Sequence, residues 1–218
     1  MKRKMTDFIG RNIKKEFDSL TTDEIRDYSI KTSHPYVNLA LNIQSNLNMG
    51  NILRTSHLCG SSKVVIFGRR HYDKRSAVGV YNYTNVERIL GLKNHNQDLT
   101  TLLKDLDYAF DDEIFYKFID DNNYMPIFVE QSPDSIKATP ANIQTILNNA
   151  KSINKIPIFI YGNEGTGIPV NILNTASRFR NYYILELNQK GALQSYNVSN
   201  SCAIVSYMVS LCFDNSVP

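Results

Sequence analysis

The segment "IPIFIYGNEGTGIP", residues 156–169, places a short apolar run directly before a loop with three glycines. The run is rich in isoleucine, which predicts a buried strand. Glycines after a strand indicate a main chain that approaches a ligand closely, often a phosphate, but Glu164 in the middle of this loop would repel one. The loop also lacks the lysine of a P-loop and the spacing of a dinucleotide fingerprint, which disfavours a nucleotide-binding hydrolase.

Strand and helix patterns alternate on both sides of this segment. Strands are predicted at "VNLALNI" (37–43), "KVVIFG" (63–68), "MPIFVE" (125–130) and "YYILELN" (182–188). Helices are predicted at "NILRTSHLCG" (51–60), "TPANIQTILNNA" (139–150), "GIPVNILNTA" (167–176) and "VSNSCAIVSYMVSLCF" (198–213). Residues 76–91 look irregular and then helical, and residues 93–123 look partly helical. This alternation predicts an α/β fold with a mostly parallel sheet and helices on both faces.

Composition places the chain among ordinary globular proteins. Its 218 residues, 42% of them hydrophobic, suit one domain with an extension. No apolar run has the length of a membrane span, and no apolar stretch follows the basic N-terminus, so we expect no membrane association and no secretory signal. The three cysteines are widely spaced, which predicts reduced thiols, no metal site, and a cytoplasmic or other intracellular location, with nucleus and organelles left open.

Positive charge is concentrated in two segments. The N-terminus carries Lys2, Arg3, Lys4, Arg11, Lys14 and Lys15, and the segment "GRRHYDKR" (68–75) carries Arg69, Arg70 and Arg75. Such clusters are either solvated surface or contacts for a polyanion. We interpret residues 1–33 as a basic helical extension, followed by a larger domain at 34–218.

Two further loops follow predicted strands and carry unusual polar residues. In "NIQSNLNMGNILRT" (42–55), Asn48 precedes Gly50, and Arg54 is expected in the first turn of a helix that begins beside this glycine. A helix N-terminus with an arginine is a good anion site, although the arginine could equally lie on a solvated face. In "NQKGALQSYNVSNSCAIVSY" (188–207), Ser195 and Asn197 precede a helix, as caps or as ligand contacts.

The three loops together resemble a known family. The patterns N-x-G-x-x-x-R-T, G-x-E-x-x-G-I-P and S-x-N-V-S, in this order, resemble the three signature motifs of the SpoU/TrmH family. These are S-adenosylmethionine-dependent RNA ribose 2′-O-methyltransferases of the SPOUT superfamily, and the resemblance runs from Val37 to Phe213. It implies a C-terminal deep trefoil knot, S-adenosylmethionine as cofactor, RNA as substrate, and a homodimer with its sites near the subunit interface.

The resemblance also implies site residues. The catalytic set is Arg54, Asn48, Glu164, Ser195 and Asn197, with Glu164 organising the loops. The cofactor pocket is formed by Val129, Gly162, Asn163, Gly167, Leu185, Leu193, Ser195, Tyr196 and Asn197, whose glycines make room for the ligand. The resemblance further implies that the basic extension at 1–33 and the cluster at 68–75 contact RNA. Their lysines and arginines, together with Arg54, would hold phosphates, while Tyr72 and His71 could stack on bases.

Some residues depart from the family pattern. Tyr196 stands where leucine is usual, and Met208 stands where glutamate often follows the tyrosine. We expect no appended RNA-binding domain, which favours tRNA over rRNA as the substrate. The alternatives are an rRNA 2′-O-methyltransferase, a base methyltransferase acting on N1 of guanosine, and a catalytically silent RNA-binding module on the same fold.

Overall fold

A computed structural model describes residues 13–68, 72–91 and 110–214 of the chain. Its centre is a seven-stranded sheet in which every strand pair is parallel. The strands are β1 (His34–Leu41), β2 (Ser61–Phe67), β3 (Val86–Ile89), β4 (Tyr124–Val129), β5 (Ile136–Lys137), β6 (Ile156–Tyr161) and β7 (Tyr183–Glu186). Their order across the sheet is β3-β2-β1-β6-β4-β7-β5.

The described residues contain six α-helices. They are α1 (Thr22–Lys31), α2 (Asn46–Leu58), α3 (Asp112–Asp121), α4 (Pro140–Ser152), α5 (Val170–Asn174) and α6 (Val198–Asp214). The "TTDE" segment forms the capping box at the start of α1, with Thr21 and Glu24 hydrogen bonded to each other. Pro140 occupies the first turn of α4, where its missing N–H costs nothing.

The sheet is buried on both faces. Along β1, Val37, Leu39 and Leu41 pack with α3 and α5, whereas Tyr36 and Ala40 pack with α2, α4 and α6. Because successive side chains of a strand point to opposite faces, a strand covered on both sides is apolar throughout. The predicted α/β class and the helices on both faces are therefore confirmed, and the trefoil knot stays a prediction.

Two local predictions were wrong, and one strand was not predicted. Residues 86–89 form strand β3 instead of a helix, and its parallel ladder with β2 explains the β-branched Val86 and Ile89. The two-residue strand β5 is too short to leave a sequence signal. Helix α2 begins at Asn46, ahead of the glycine expected to precede it, because Ser45 caps it by accepting a hydrogen bond from the Asn48 N–H.

The N-terminal segment is only partly described. From Ile13 it continues through a 3-10 turn (Lys15–Phe17) into α1, and β1 begins at His34. The division of the chain at residues 33 and 34 stays a prediction. Of residues 93–123, the described part contains α3, and the rest lies outside the described residues. None of the described helices is long and apolar enough to cross a membrane.

Candidate active site

The carboxyl ends of β1, β6, β4 and β7 lie side by side in the sheet, so the loops that follow these strands meet at one edge. They surround a cleft of about 930 Å³. All the residues predicted to form a cofactor pocket line this cleft: Val129, Gly162, Asn163, Gly167, Leu185, Leu193, Ser195, Tyr196 and Asn197. The fold thus brings together the second and third motif loops, which are more than twenty residues apart in sequence.

The glycine-rich loop closes on itself. Asn163 and Gly167 exchange both main-chain hydrogen bonds, at 2.8 and 2.9 Å, and the Asn163 side chain accepts hydrogen bonds from the N–H groups of Gly165 and Thr166. A Cβ at Gly162 would lie 2.2 Å from the carbonyl carbon of Gly167. Gly162 is therefore required by the closed loop itself, and the expectation that the glycines make room for a ligand stays a prediction.

Glu164 ties this loop to the start of α2. Its carboxylate accepts hydrogen bonds from the main-chain N–H of Gln44 (2.8 Å), the main-chain N–H of Ser45 (2.9 Å) and the side-chain amide of Asn48 (2.8 Å). Partial burial acts to raise the pKa of Glu164, but these hydrogen bonds outweigh it and lower the pKa below 4.5. Glu164 is thus an ionised organiser of two loops, as the sequence indicated.

A second set of hydrogen bonds extends this connection to the third loop. The Ser199 hydroxyl lies 3.4 Å from the Asn48 amide oxygen and 2.8 Å from the Asn197 amide oxygen. Asn197 also accepts a hydrogen bond from the Ser199 N–H, so it caps α6. A continuous polar chain therefore runs from Glu164 through Asn48 and Ser199 to Asn197. Ser199 was quoted within the third motif but was not assigned a role.

Glu130 is a cleft residue that the sequence analysis missed. It follows β4, and its carboxylate accepts hydrogen bonds from the main-chain N–H of Ile168 and of Gln131, both at 3.0 Å. One carboxylate oxygen occupies the space beside Gly167, 2.6 Å from where a Cβ would lie. Gly167 also has a φ of +69°, which few residues other than glycine adopt. A glutamate after an ordinary strand offers no sequence signal for this contact.

Tyr196 and Leu193 belong to the loop that covers the cleft after β7. The Tyr196 hydroxyl donates a hydrogen bond to the main-chain oxygen of Asn188, 3.1 Å away, and so spans the loop. The Gln131 side chain donates to the main-chain oxygen of Gln194 and connects this loop to the end of β4. Leu193 is 83% exposed, a large apolar side chain without cover at the cleft.

Arg54 does not line the cleft, which corrects its expected position. It lies six residues beyond Asn48 on α2, about 9 Å along the helix axis and about 240° around it. Arg54 lines a second cavity, between the N-terminal segment, α1 and α2. Gly50 is inside α2 and not in a turn; its missing Cβ allows the main chain of Ser76 to approach, since a Cβ would lie 2.3 Å from the Ser76 carbonyl oxygen.

The structure describes only part of the basic clusters. Lys14 and Lys15 are exposed, and Arg75 is exposed but paired with Asp73 at 2.6 Å. Tyr72 is buried beneath the Arg88 guanidinium, 4.8 Å from its ring centroid, so it is not available to stack on a base as expected. The remaining predicted RNA contacts, Lys2, Arg3, Lys4, Arg11, Arg69 and Arg70, lie outside the described residues, as does His71.

Metal-binding chemistry has no counterpart in the described part of the chain. Residues 13–68, 72–91 and 110–214 contain no group of three or more His, Cys, Asp or Glu side chains that could hold a metal ion.

Comparison with known proteins agrees with the three-loop arrangement. A family model described as the SpoU rRNA Methylase family matches residues 36–207, most of the chain. The chain therefore belongs to the SpoU rRNA methylase family, and the family prediction is confirmed. Among curated proteins, none matches the chain.

Solved structures share the fold. The A. aeolicus TrmH/SpoU tRNA modifying enzyme is 15% identical, with a TM-score of 0.58 over 89% of this chain and 83% of that one. An AdoMet-bound rRNA methyltransferase from Sinorhizobium meliloti is 20% identical, with a TM-score of 0.57 over 89% of this chain but only 61% of that one. The methyltransferase AviRb from Streptomyces viridochromogenes, in complex with AdoMet, is 14% identical, with a TM-score of 0.57 over 86% of this chain and 64% of that one. At these identities the likeness establishes the fold alone.

Proposed function

We propose that this protein uses S-adenosylmethionine to methylate a ribose 2′-hydroxyl of RNA, with tRNA as the substrate. The observation that carries the proposal is the polar chain Glu164–Asn48–Ser199–Asn197 at the rim of the cleft. It links all three motif loops through Glu164, Asn48 and Asn197, which the resemblance assigns to catalysis, and through Ser199, to which it assigns no role. If these loops lay apart in the structure, the three motifs could not form one site.

The cleft fits S-adenosylmethionine in size and charge. Its volume is within the range of small-molecule sites, and its lining combines main-chain groups with Leu185, Leu187 and Leu193. The described lining residues include Glu130, Glu164 and Glu186 but no lysine, arginine or histidine. A cleft of this charge favours a cationic ligand over a phosphate. When bound, S-adenosylmethionine supplies an electrophilic methyl group on a positively charged sulfur.

The residues of the chain would position the reaction more than drive it by proton transfer. Methyl transfer to a hydroxyl needs alignment of the attacking oxygen with the methyl group, together with removal of the hydroxyl proton. Ser195 lines the cleft and Asn197 is fixed at the α6 N-terminus, so both are placed to orient the ribose or the cofactor. Arg54 is a poor base because a guanidinium hardly deprotonates in proteins. We assign it the RNA phosphate next to the target ribose.

A homodimer would complete such a site. Arg54 points away from the cleft of its own protomer, so a phosphate held there would have to reach a cleft formed by a second copy. Helices α2 and α6 pack together and present large exposed apolar side chains. Leu47 is 71% exposed and Tyr207 is 59% exposed. We propose that this α2–α6 surface is the dimer contact that brings Arg54 of one copy to the cleft of the other.

Two experiments test the proposal. The protein is incubated with methyl-labelled S-adenosylmethionine and total RNA, and the modified nucleosides are then identified. We expect label in 2′-O-methyl nucleosides of tRNA. Label in rRNA would change the substrate, and label in a base such as N1-methylguanosine would overturn the reaction.

The silent-module alternative is separated by binding. Isothermal titration with S-adenosylmethionine is expected to show one binding site per chain. The variant Leu193→Asp, in the cleft lining, is expected to change the measured affinity. RNA binding without cofactor binding or transfer would favour a silent RNA-binding module.

A further inference from the structure

A second cavity lies apart from the cleft at the ends of the strands. It has a volume of about 290 Å³ and lies between the N-terminal segment, α1, α2 and the 3-10 turns at residues 74–77 and 80–82. Its lining combines three aromatic rings (Phe17, Tyr28 and Tyr83), two cations (Lys14 and Arg54), His57, and the hydroxyl residues Ser29, Thr32 and Ser33.

The aromatic residues supply apolar surface to the cavity. Tyr28 is 48% exposed, and its ring centroid lies 5.0 Å from that of Phe17, with the two ring planes tilted by 59°. Tyr83 is nearly buried and also lines the cavity. The exposed Tyr28 ring is suited to stacking on a nucleobase, which is how proteins hold unpaired bases of RNA.

The hydroxyl residues offer acceptors and not donors. The hydroxyl groups of Ser29, Thr32 and Ser33 each donate to a main-chain oxygen of α1, those of Ile25, Tyr28 and Ile30 respectively. Their protons are thereby used, and only oxygen lone pairs remain for a ligand.

His57 adds another acceptor. Burial lowers the pKa of His57 from 6.5, which keeps the imidazole neutral at physiological pH. The Thr84 hydroxyl donates its proton to the Val80 carbonyl oxygen, 2.9 Å away. Because that proton is used, the hydrogen bond of 3.3 Å between Thr84 and His57 has to be donated by the Nδ1–H of His57. The Nε2 atom is then an unprotonated acceptor. A ligand edge that donates hydrogen bonds, such as an exocyclic amino group, therefore fits this lining.

The cations complete the description of the ligand. Within the described residues, the Arg54 guanidinium has no hydrogen-bond or ion-pair partner, and Lys14 has only a loose pair with Glu16 at 3.8 Å. Both belong to the lining, where a phosphate attached to a stacked base would meet them.

We propose that this cavity binds one unpaired nucleotide of the RNA substrate. The base stacks on Tyr28, its donor edge meets the acceptors of α1 and His57, and its phosphate meets Arg54 and Lys14. The proposal rests on RNA being the substrate, but it does not depend on which atom of the RNA is methylated. It also gives Arg54 a reason to face this cavity instead of the cleft of its own protomer.

The test measures binding of a fluorescein-labelled hexaadenylate to the full chain by fluorescence anisotropy. We expect Tyr28→Ala to weaken binding about 10-fold, in the range of one lost base stack, and Tyr28→Phe to bind like the unmodified protein. Tyr182→Ala is the matched control, since Tyr182 is 40% exposed and lines neither cavity. A hexamer of purine riboside, which lacks the amino group, is expected to bind about 5-fold more weakly than hexaadenylate, as for one lost hydrogen bond.

Three results would overturn the proposal. One is equal binding of hexaadenylate by Tyr28→Ala and the unmodified protein. Another is equal binding of the two hexamers. The third is a change of molar mass in Tyr28→Ala by light scattering, which would show that a second copy of the chain occupies the cavity. S-adenosylmethionine binding by Tyr28→Ala is expected to be unchanged, so failure here is distinguishable from failure of the methyltransferase proposal.

Discussion

The carboxylate of Glu164 gives the most quantitative prediction, because it joins two loops through three hydrogen bonds. In Glu164→Gln the amide oxygen can still accept from Ser45 and Asn48, but the amide nitrogen then faces the Gln44 N–H, and two donors oppose each other. A hydrogen bond to a charged group contributes about 1.5–3 kcal/mol. Because Glu164 is partly exposed, solvent screening places the loss at the lower end, about 1.5 kcal/mol.

For a domain of this size, that loss corresponds to a Tm about 3–6 °C lower at pH 7, measured by differential scanning fluorimetry or calorimetry. The pKa of Glu164 is lowered in the folded protein, so its stabilisation is complete above the unfolded value of 4.5 and disappears as pH falls through the folded value. The Tm difference between the unmodified protein and Glu164→Gln is therefore expected to be constant from pH 6 to 8 and to shrink below pH 4.5.

Two further variants sharpen this experiment. Asn48→Asp places a second carboxylate 2.8 Å from Glu164, so it is expected to lower the Tm more than Asn48→Ala does. Glu16→Gln is the control, since Glu16 makes only an exposed pair with Lys14 at 3.8 Å and its loss is expected to leave the Tm within about 1 °C. A Glu164→Gln protein with the Tm of the unmodified chain, or a Tm difference independent of pH, would refute the reasoning.

Three other predictions concern the cleft, the arginine and the dimer. Gly167→Ala is expected to lower the free energy of unfolding by about 1–3 kcal/mol, because of the positive φ and the clash with Glu130. It is also expected to weaken S-adenosylmethionine binding in titration calorimetry, whereas Gly191→Ala, with open space around it, leaves that binding unchanged. Equal affinities of the two variants would contradict this. Arg54→Ala is expected to abolish methyl transfer while retaining cofactor binding, and normal turnover with labelled cofactor would remove Arg54 from the site. Tyr207→Asp is expected to convert a dimer to a monomer in light scattering, and an unchanged mass would exclude α6 from the contact.

Much of the architecture was predictable because parallel strands buried on both faces have a distinct pattern. The runs that became β2, β4 and β6 are short and mostly apolar, as expected of strands buried on both faces. The segment at β3 was misread because Val86–Ile89 is an edge strand of four residues, only partly buried, whose pairing with β2 is a tertiary contact. The start of α2 was misplaced because Gly50 suggested a turn, while its actual role is close packing against Ser76.

The sequence likewise predicted only part of the candidate site. The motif residues of the second and third loops were identified by sequence because their spacing within each loop is fixed by local chemistry: the closed glycine loop and the Asn197 cap of α6. Glu130 was missed because its contact with Gly167 joins residues far apart in the chain. Whether Arg54 reaches a cleft depends on how α2 is rotated about its axis. Neither composition nor residue spacing predicts that rotation.

The sequence alone determined the family and the alternation of strands and helices, because each motif and each run is recognisable within a short segment. The hydrogen bonds that make Glu164 an ionised organiser join it to residues 120, 119 and 116 positions away, so they belong to the tertiary structure. The tertiary structure decided which loops share the cleft, that Tyr72 is buried, and that Arg54 faces a second cavity with Tyr28 and His57. Those outcomes depend on the strand order and on helix rotation, which are set by packing the whole core and not by any single segment.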